Sequence, residues 1–330
     1  MSSTQPKATR DGFGEGLIEL GGQRQDVVVL SGDLGDSTRA KWFQEKFPER
    51  FFEFGIAEQN MVGAAAGLAL SGKLPFACSF SAFLTGRAWE QIRVSVCYMK
   101  LNVKLVGSHA GLSVGADGAT AEALEDIATM RALPGMTVIT PADARQAKQA
   151  AVALGAHRGP AYLRVGRSPV PLIEGTDRPF VIGRADRLRE GSDVTIVAVG
   201  VMVGHALKAA AALAADGIQA DVLNLHTIKP LDRETLVASA RRTGAVVTAE
   251  EHSVVGGVGS AVAEVLAVEQ PVPIRMIGVQ DRFGESGQPE ELMAALGLGS
   301  RQIIEAATAL VRAKGASAAS VPRARQAQPL

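Results

Sequence analysis

Residues 51–72 read Phe-Phe-Glu-Phe-Gly-Ile-Ala-Glu-Gln-Asn-Met-Val-Gly-Ala-Ala-Ala-Gly-Leu-Ala-Leu-Ser-Gly. Phe51–Phe54 is short and aromatic and stops at a glycine, the pattern of a strand. From Glu58 to Leu70 small and apolar residues run without a turn signal, and a helix is predicted there. Glu58 then falls in the first helical turn, where a carboxylate ordinarily offsets the helix dipole. The helix behind it is too apolar for a solvated surface element. Its Gly63-Ala64-Ala65-Ala66-Gly67 run would let another backbone or helix pack very closely. The Glu58 carboxylate is therefore expected to enter a buried region. A carboxylate buried without a cation has its pKa raised, as a proton-exchanging residue needs.

The same alternation extends in both directions. Strands are predicted at Val27–Leu30, Pro75–Ser79, Val103–Gly107, Thr137–Thr140 and Ala161–Val165. Helices are predicted at Thr85–Met99, Ala123–Arg131 and Ala142–Ala156. Continuous apolar strands separated by amphipathic helices imply a parallel sheet covered on both faces. The stretch Pro169–Glu190 breaks the rhythm with prolines and charges and reads as a surface crossing between domains. Strands then resume at Val194–Val199, Ala220–Leu225, Val246–Ala249 and Ile274–Gly278, with helices over Ala206–Ala215 and Ser260–Val268. The fold class is α/β, with two doubly wound domains. The first spans 1–175 and a linker 176–190; the second, smaller domain spans 191–313, and 314–330 is expected to be disordered.

The bulk properties fit two domains. The chain has 330 residues, 47% hydrophobic, and 34 basic against 34 acidic side chains. Each half is large enough to bury a core. A formal net charge of zero argues against a nucleic-acid or membrane-surface partner recruited by bulk electrostatics. Cys78 and Cys97 lie in apolar stretches and read as reduced core thiols rather than a disulfide framework. The N-terminal residues lack the apolar segment of a signal peptide, and the longest apolar stretch is half a membrane span. A cytoplasmic location is expected.

The motif Gly55-Ile56-Ala57-Glu58-Gln59-Asn60-Met61-Val62-Gly63, continued by Ala65-Ala66-Gly67-Leu68-Ala69, resembles the pyrimidine-binding domain of transketolases. The likeness runs from about Arg10 to Leu296 in domain order and spacing. It implies a thiamine-diphosphate-binding fold followed by a transketolase C-terminal-type domain. In that family the matching glutamate bonds the aminopyrimidine N1′ of thiamine diphosphate and favours the imino tautomer that deprotonates the thiazolium. Glu58 inherits that role, while the cofactor carries the hard chemistry. The stretch Cys78-Ser79-Phe80-Ser81-Ala82-Phe83-Leu84-Thr85-Gly86-Arg87 matches the segment whose aromatic rings pack on the pyrimidine. Phe80 and Phe83 take those places, and Gly86 stands where many members have a third aromatic. Without the motif, two phenylalanines at a strand end would read as core.

A glycine-rich loop follows a strand at His109-Ala110-Gly111-Leu112-Ser113-Val114-Gly115-Ala116-Asp117-Gly118, the place where ligands bind in α/β sheets. By resemblance His109 helps hold the sugar phosphate and Asp117 reads a substrate hydroxyl. Arg10, Ser37 and Arg167 match positions that grip the terminal phosphate, and Arg suits that task through its two-pronged donor fork. Asp33 and Leu34 match positions near the cofactor at the interface. One departure stands out: after Asp117-Gly118 the family continues with Thr or Ser, His and Gln, whereas this chain has Ala119-Thr120-Ala121-Glu122. Ala121 can neither donate a hydrogen bond nor shuttle a proton.

A complete transketolase also holds the diphosphate and Mg²⁺ through Gly-Asp-Gly and a downstream asparagine. Gly32-Asp33-Leu34 and Ala116-Asp117-Gly118 each miss that motif at one position. The resemblance therefore implies the C-terminal subunit of a split transketolase, moving a two-carbon ketol unit between sugar phosphates. An N-terminal subunit would supply the metal ligands in an α2β2 assembly. Rival readings are the beta subunit of a 2-oxo acid dehydrogenase decarboxylase component, a 1-deoxyxylulose-5-phosphate synthase, and a non-catalytic regulatory subunit. In the second half, Val247-Thr248-Ala249-Glu250-Glu251-His252 and the later Ile277-Gly278-Val279-Gln280-Asp281-Arg282-Phe283-Gly284 resemble the transketolase C-terminal domain. Gly256, Gly257 and Gly259 could cradle an anion at a helix start or simply permit a tight turn. His252 is read as an interface hydrogen-bonder; His205 and His226 carry no signal.

Overall fold

The computed structural model describes residues 5–319. Among the described residues the first sheet has seven strands, in the spatial order Thr227–Lys229, Thr137–Ile139, Ala161–Arg164, Lys104–Ser108, Leu74–Phe80, Val27–Ser31, Phe51–Glu53. All neighbours pair in parallel except Thr227–Lys229, which runs antiparallel on the edge. The second sheet has five strands, in the order Ile274–Val279, Val246–Ser253, Val194–Ala198, Ala220–Asn224, Asp186–Arg189. Its central strands are parallel and fully buried, as their unbroken apolar runs require. The fold is two α/β domains, as expected.

Two strands of these sheets run against the sequence-based expectation, as does the small pair Lys7–Ala8 with Pro169–Val170. Asp186–Arg189, placed in the linker, pairs antiparallel with Ala220–Asn224. Its Asp-Arg-Leu-Arg pattern is an edge strand's, half-buried throughout, and an edge tolerates such charge. Thr227–Lys229 had no assignment; it leaves the second half of the chain to extend the first sheet. Lys229 fixes the crossing by donating to the carbonyls of Arg131 and Leu133 at 2.8 and 2.6 Å.

The predicted helix Thr85–Met99 is also corrected. A helix Ser81–Arg87 ends at Ala88, one turn follows over Trp89–Gln91, and Ile92–Tyr98 is π-helical. Leu101 N–H bonds the Val96 carbonyl, the i→i+5 pattern that defines the wide turn. Helix Asp126–Arg131 starts three residues late because Ala123 bridges Ala110 instead. At the other end, helix Ser300–Ala319 passes through residues read as disordered. Lys314 ties it down, donating to the carbonyl of Asp193 at 2.6 Å and to that of Thr243. Residues 320–330 of that expected tail lie outside the described residues.

The N-terminal helix Thr9–Gln23 positions the first candidate site residue. Gly12 and Gly16 let it lie directly on helix Ala144–Ala156: a methyl at Gly12 would overlap the Ala144 carbonyl. Phe13, Leu17 and Leu20 enter the core beside Val29, Phe76 and Leu154. Each such side chain contributes about 1.5–3 kcal/mol on burial. The helix start, with Arg10, is thereby held against the end of strand Ala161–Arg164: Arg10 N–H bonds the Gly166 carbonyl at 3.2 Å. No helix among the described residues is long and apolar enough to cross a membrane. Cys78 and Cys97 are both buried and free.

Candidate active site

Glu58 opens helix Glu58–Leu70 and is 2% exposed. Its carboxylate is not unpaired. Ser79 Oγ donates to Oε1 at 3.0 Å, and Arg87 Nη1 lies 3.4 Å from Oε1 and 3.2 Å from Oε2. The premise of a buried acid without a cation is therefore corrected. Arg87, which the sequence reading did not single out, sits at the end of helix Ser81–Arg87 and remains half-exposed. Its guanidinium also lies over the Phe83 ring, 4.2 Å from the centroid. The expectation of a helix sunk in protein is corrected as well. Gln59, Asn60, Gly63, Gly67 and Leu70 are exposed, and a methyl at Gly63 or Gly67 would meet nothing.

The aromatic pair comes from one strand end and the helix that follows it. Phe80 and Phe83 are half-buried and stack at 5.6 Å between centroids. The other neighbour of Phe80 is the His109 imidazole, parallel within 22° at 3.9 Å. The position of the third aromatic is open at its root: a methyl at Gly86 would meet nothing within 4 Å.

His109 follows strand Lys104–Ser108 with φ 56°, a left-handed conformation uncommon for a non-glycine residue and concentrated at functional sites. Arg10 Nη1 approaches its Nε2 at 3.3 Å. A guanidinium can only donate, so Nε2 is the bare nitrogen and Nδ1–H donates to Ser108 Oγ at 2.9 Å. Burial, with Arg10, Arg167 and Arg39 adding to it, pushes the imidazole pKa down to about 3. His109 is a neutral ring at any physiological pH.

The remaining candidates gather around it. Arg10 Nη1 donates to the Ser37 carbonyl at 2.9 Å, which ties these two candidates together. Arg10 Nε is buried with no partner, and burial lowers the guanidinium's pKa. Arg167 donates to Asp117 Oδ1 at 2.8 Å, and both are part-exposed. The hydroxyl reader and the phosphate grip of the sequence reading are thus bonded to each other. Arg39, unnoticed in sequence, pairs with Asp11 at 2.6 Å and adds a third guanidinium to this side. Asp33 adopts φ 63° and its N–H bonds Glu53 Oε1 at 2.7 Å; Leu34 is half-buried beside it. Phe54 and Gly55 N–H groups reach the same Glu53 oxygen at 3.0 Å. Glu53, Arg39 and Arg87 carried no motif signal; only their positions beside Phe54, Ser37 and Gly86 could have marked them.

Ala121 is buried where the family's histidine is expected. Its neighbour Glu122 is also buried, both carboxylate oxygens lack a hydrogen bond, and burial beside Glu251 and Glu285 pushes its pKa up to about 7. The anion cradle at Gly257 and Gly259 is filled by the chain itself. Glu250 accepts from the N–H groups of Val258 and Gly259 at 2.6 and 2.8 Å, at the start of helix Val258–Glu269. His252 is fully buried between the domains. Nδ1–H donates to the Ser253 carbonyl at 2.6 Å and Nε2 accepts from Ala128 N–H at 3.4 Å.

One connected surface results: Glu58, Arg87, Phe83, Phe80, His109, Arg10, with Arg167 and Asp117 at the far end of the glycine loop. It combines a buried carboxylate, a pair of half-open rings and a guanidinium-rich end. Such a surface can take an elongated guest with a basic heterocycle at one end and an anionic group at the other.

Comparison with known proteins accords with this geometry. Residues 5–171 match the family model "Transketolase, pyrimidine binding domain" and residues 183–303 match "Transketolase, C-terminal domain". The chain is 46% identical over 298 residues to the 6-deoxy-6-sulfo-D-fructose transketolase subunit SqwH of Clostridium sp. (strain MSTE9), covering 90% of this chain and 92% of that protein. It is 42% identical over 306 residues to an apulose-4-phosphate transketolase subunit of Phocaeicola vulgatus, covering 92% and 98%. Among solved structures it resembles a split gene transketolase described as an inactive beta4 tetramer, at 51% identity and TM-score 0.87 over 92% of this chain and 98% of that one. The chain belongs to the transketolase family, as the half that carries its pyrimidine-binding and C-terminal domains, and its similar relatives include subunits of split transketolases.

Proposed function

We propose that this chain is the pyrimidine-side subunit of a thiamine-diphosphate-dependent transketolase that moves a two-carbon ketol unit between anionic sugars. The observation that carries the reading is the run from Glu58 through Arg87 and the stacked Phe83 and Phe80 to His109 and Arg10. The donor set fits the cofactor's ring: a buried carboxylate for a basic ring nitrogen, and half-open phenyl rings for its faces. Glu58 would hold the aminopyrimidine N1′ and exchange a proton there, and Asp33 and Leu34 would border the cofactor. Thiamine diphosphate supplies a carbanion-stabilising centre when bound.

At the other end Arg10 and Arg167 would hold the substrate's terminal anion, with Arg39 adding positive potential. His109, neutral and with Nε2 facing Arg10, orients that arginine by accepting a hydrogen bond from it. Asp117 would exchange its bond to Arg167 for a substrate hydroxyl. The relatives' named substrates, a 6-deoxy-6-sulfo sugar and a 4-phosphate, both carry a strong terminal anion. That chemistry matches an arginine-rich grip better than a neutral sugar would. The open face of helix Glu58–Leu70, with Leu70 67% exposed and Ile56, just before the helix, 73% exposed, supports a partner chain that covers it. Mg²⁺ ligands and the diphosphate site would come from an N-terminal transketolase subunit in an α2β2 assembly, in the cytoplasm.

The test is reconstitution. This chain is mixed with a separately expressed chain bearing Gly-Asp-Gly and the downstream asparagine, plus thiamine diphosphate and Mg²⁺. Ketol transfer from a phosphorylated or sulfonated ketose is expected only in the mixture. A cofactor-bound complex that transfers nothing would instead favour the regulatory-subunit reading, to which Ala121 lends its one observation.

A further inference from the structure

The transketolase C-terminal-type domain is not a remote support for the site, because one of its buried acids grips the substrate-side loop. Glu251 lies on strand Val246–Ser253 of the second sheet, yet its carboxylate is pressed against residues 111–113 of the first domain. Ser113 N–H donates to Glu251 Oε2 at 3.1 Å. A methyl at Gly111 would overlap the same carboxylate, and Gly111 stands at φ 82°, so only glycine serves at that position. The other carboxylate oxygen faces Arg164 Nη1 at 3.6 Å, and Arg164 Nη2 bonds the Glu251 carbonyl at 3.1 Å. Glu251 therefore bridges the base of the loop to the buried arginine at the end of strand Ala161–Arg164.

The loop runs from His109, beside Arg10, to Asp117, beside Arg167. Ser168 Oγ donates to the Ser113 carbonyl at 2.7 Å, so both backbone polar groups of Ser113 are held by side chains. Among the described residues Glu251 is the second-domain side chain bonded to the Ser113 amide, while Ser286 and Pro289 lie against the far part of the loop at Gly118 and Gly115.

We infer that Glu251 is a positioning residue through which the C-terminal domain fixes the loop that carries His109 and Asp117, and hence the grip on an anionic substrate. The substrate clause rests on the proposed function; the loop clause does not. A carboxylate at the Ser113 amide replaces water there and removes a route by which the loop could open.

The test uses the full chain with Glu251→Gln and Glu251→Ala. The glutamine oxygen still accepts the Ser113 N–H, whereas alanine does not. Hydrogen exchange of residues 109–118 should accelerate tenfold or more in E251A and much less in E251Q, with strand Val194–Ala198 unchanged in both. In the reconstituted complex, KM for the anionic ketose should rise tenfold or more in E251A and far less in E251Q, with kcat within about twofold. Ser113→Pro removes the donor at the second position of a 3₁₀ turn and should reproduce the E251A exchange should E251A fail to fold. Unchanged loop exchange in E251A, or in Ser113→Pro where that variant stands in, would overturn the inference. So would equal damage from E251Q and E251A, the mark of simple charge balance with Arg164. An inactive mixture with the expected exchange pattern would count against the proposed function alone.

Discussion

Replacing Arg164 with methionine tests how the two domains are joined. Arg164 is 3% exposed, and its side chain lies among a strand end, the start of helix Asp126–Arg131 and the second sheet. Nε donates to Asp126 Oδ2 at 2.8 Å, and Nη2 to the carbonyls of Ala123 and Glu251 at 3.3 and 3.1 Å. Asp126 is fully buried, and its remaining partner at Oδ2 is the Tyr162 hydroxyl at 2.7 Å. Methionine fills the arginine stem's volume, so the loss is mainly polar. One charge-assisted bond at roughly 1.5–3 kcal/mol and two carbonyl bonds at about 1 kcal/mol each disappear. That sum agrees with the roughly 3–5 kcal/mol lost when one partner of a buried ion pair is removed. Urea denaturation followed by fluorescence provides the assay, because Trp89 bonds the Thr129 carbonyl on the adjacent helix. The double variant R164M/D126N should recover at least about 1 kcal/mol relative to additivity, since it removes one of the two buried carboxylates that R164M strands, the other being Glu251. A loss under about 1 kcal/mol for R164M, or strict additivity of the two changes, would refute the buried-pair argument.

Further outcomes follow from the same geometry. Glu58→Gln keeps an acceptor for Ser79 but ends proton exchange, so ketol transfer should fall by roughly 10²–10⁴-fold with the fold intact, measured by activity beside circular dichroism. The Glu122 carboxyl, raised from 4.5 to about 7 in the folded chain, keeps a proton the unfolded chain has lost. Its contribution to stability is therefore full below pH 4.5 and lost as pH rises through about 7. Glu122→Gln should gain on wild type between urea titrations at pH 5 and pH 8; an equal difference at both would contradict the burial argument. His109, lowered from 6.5 to about 3, should show no imidazole titration by NMR between pH 5 and 8, and an inflection there assigned to His109 would remove the neutral-ring role.

The fold was largely legible because its strands are continuous apolar runs, and Val27–Ser31 or Val194–Ala198 could scarcely be anything else. Thr227–Lys229 and Asp186–Arg189 escaped because an edge strand needs no apolar run, only a neighbour with free backbone groups. The break at Ala88 has no proline to announce it, and the helix–π junction answers to packing rather than propensity. In the site, Glu58, Phe80, Phe83, His109 and Arg10 were readable from motifs. The pairings that define their chemistry were not. Arg87 on Glu58, Arg167 on Asp117 and Glu251 on Ser113 join residues far apart in sequence, and no local pattern encodes them.

The central claim is that Glu58 works on a cofactor whose diphosphate another chain holds. Calorimetric titration of thiamine diphosphate with Mg²⁺ tests it directly, into this chain alone and into its mixture with a chain bearing Gly-Asp-Gly and the downstream asparagine. The account predicts no tight binding to the chain alone, and saturable binding in the mixture that Glu58→Gln weakens. Tight, Mg²⁺-dependent binding by this chain on its own would contradict it.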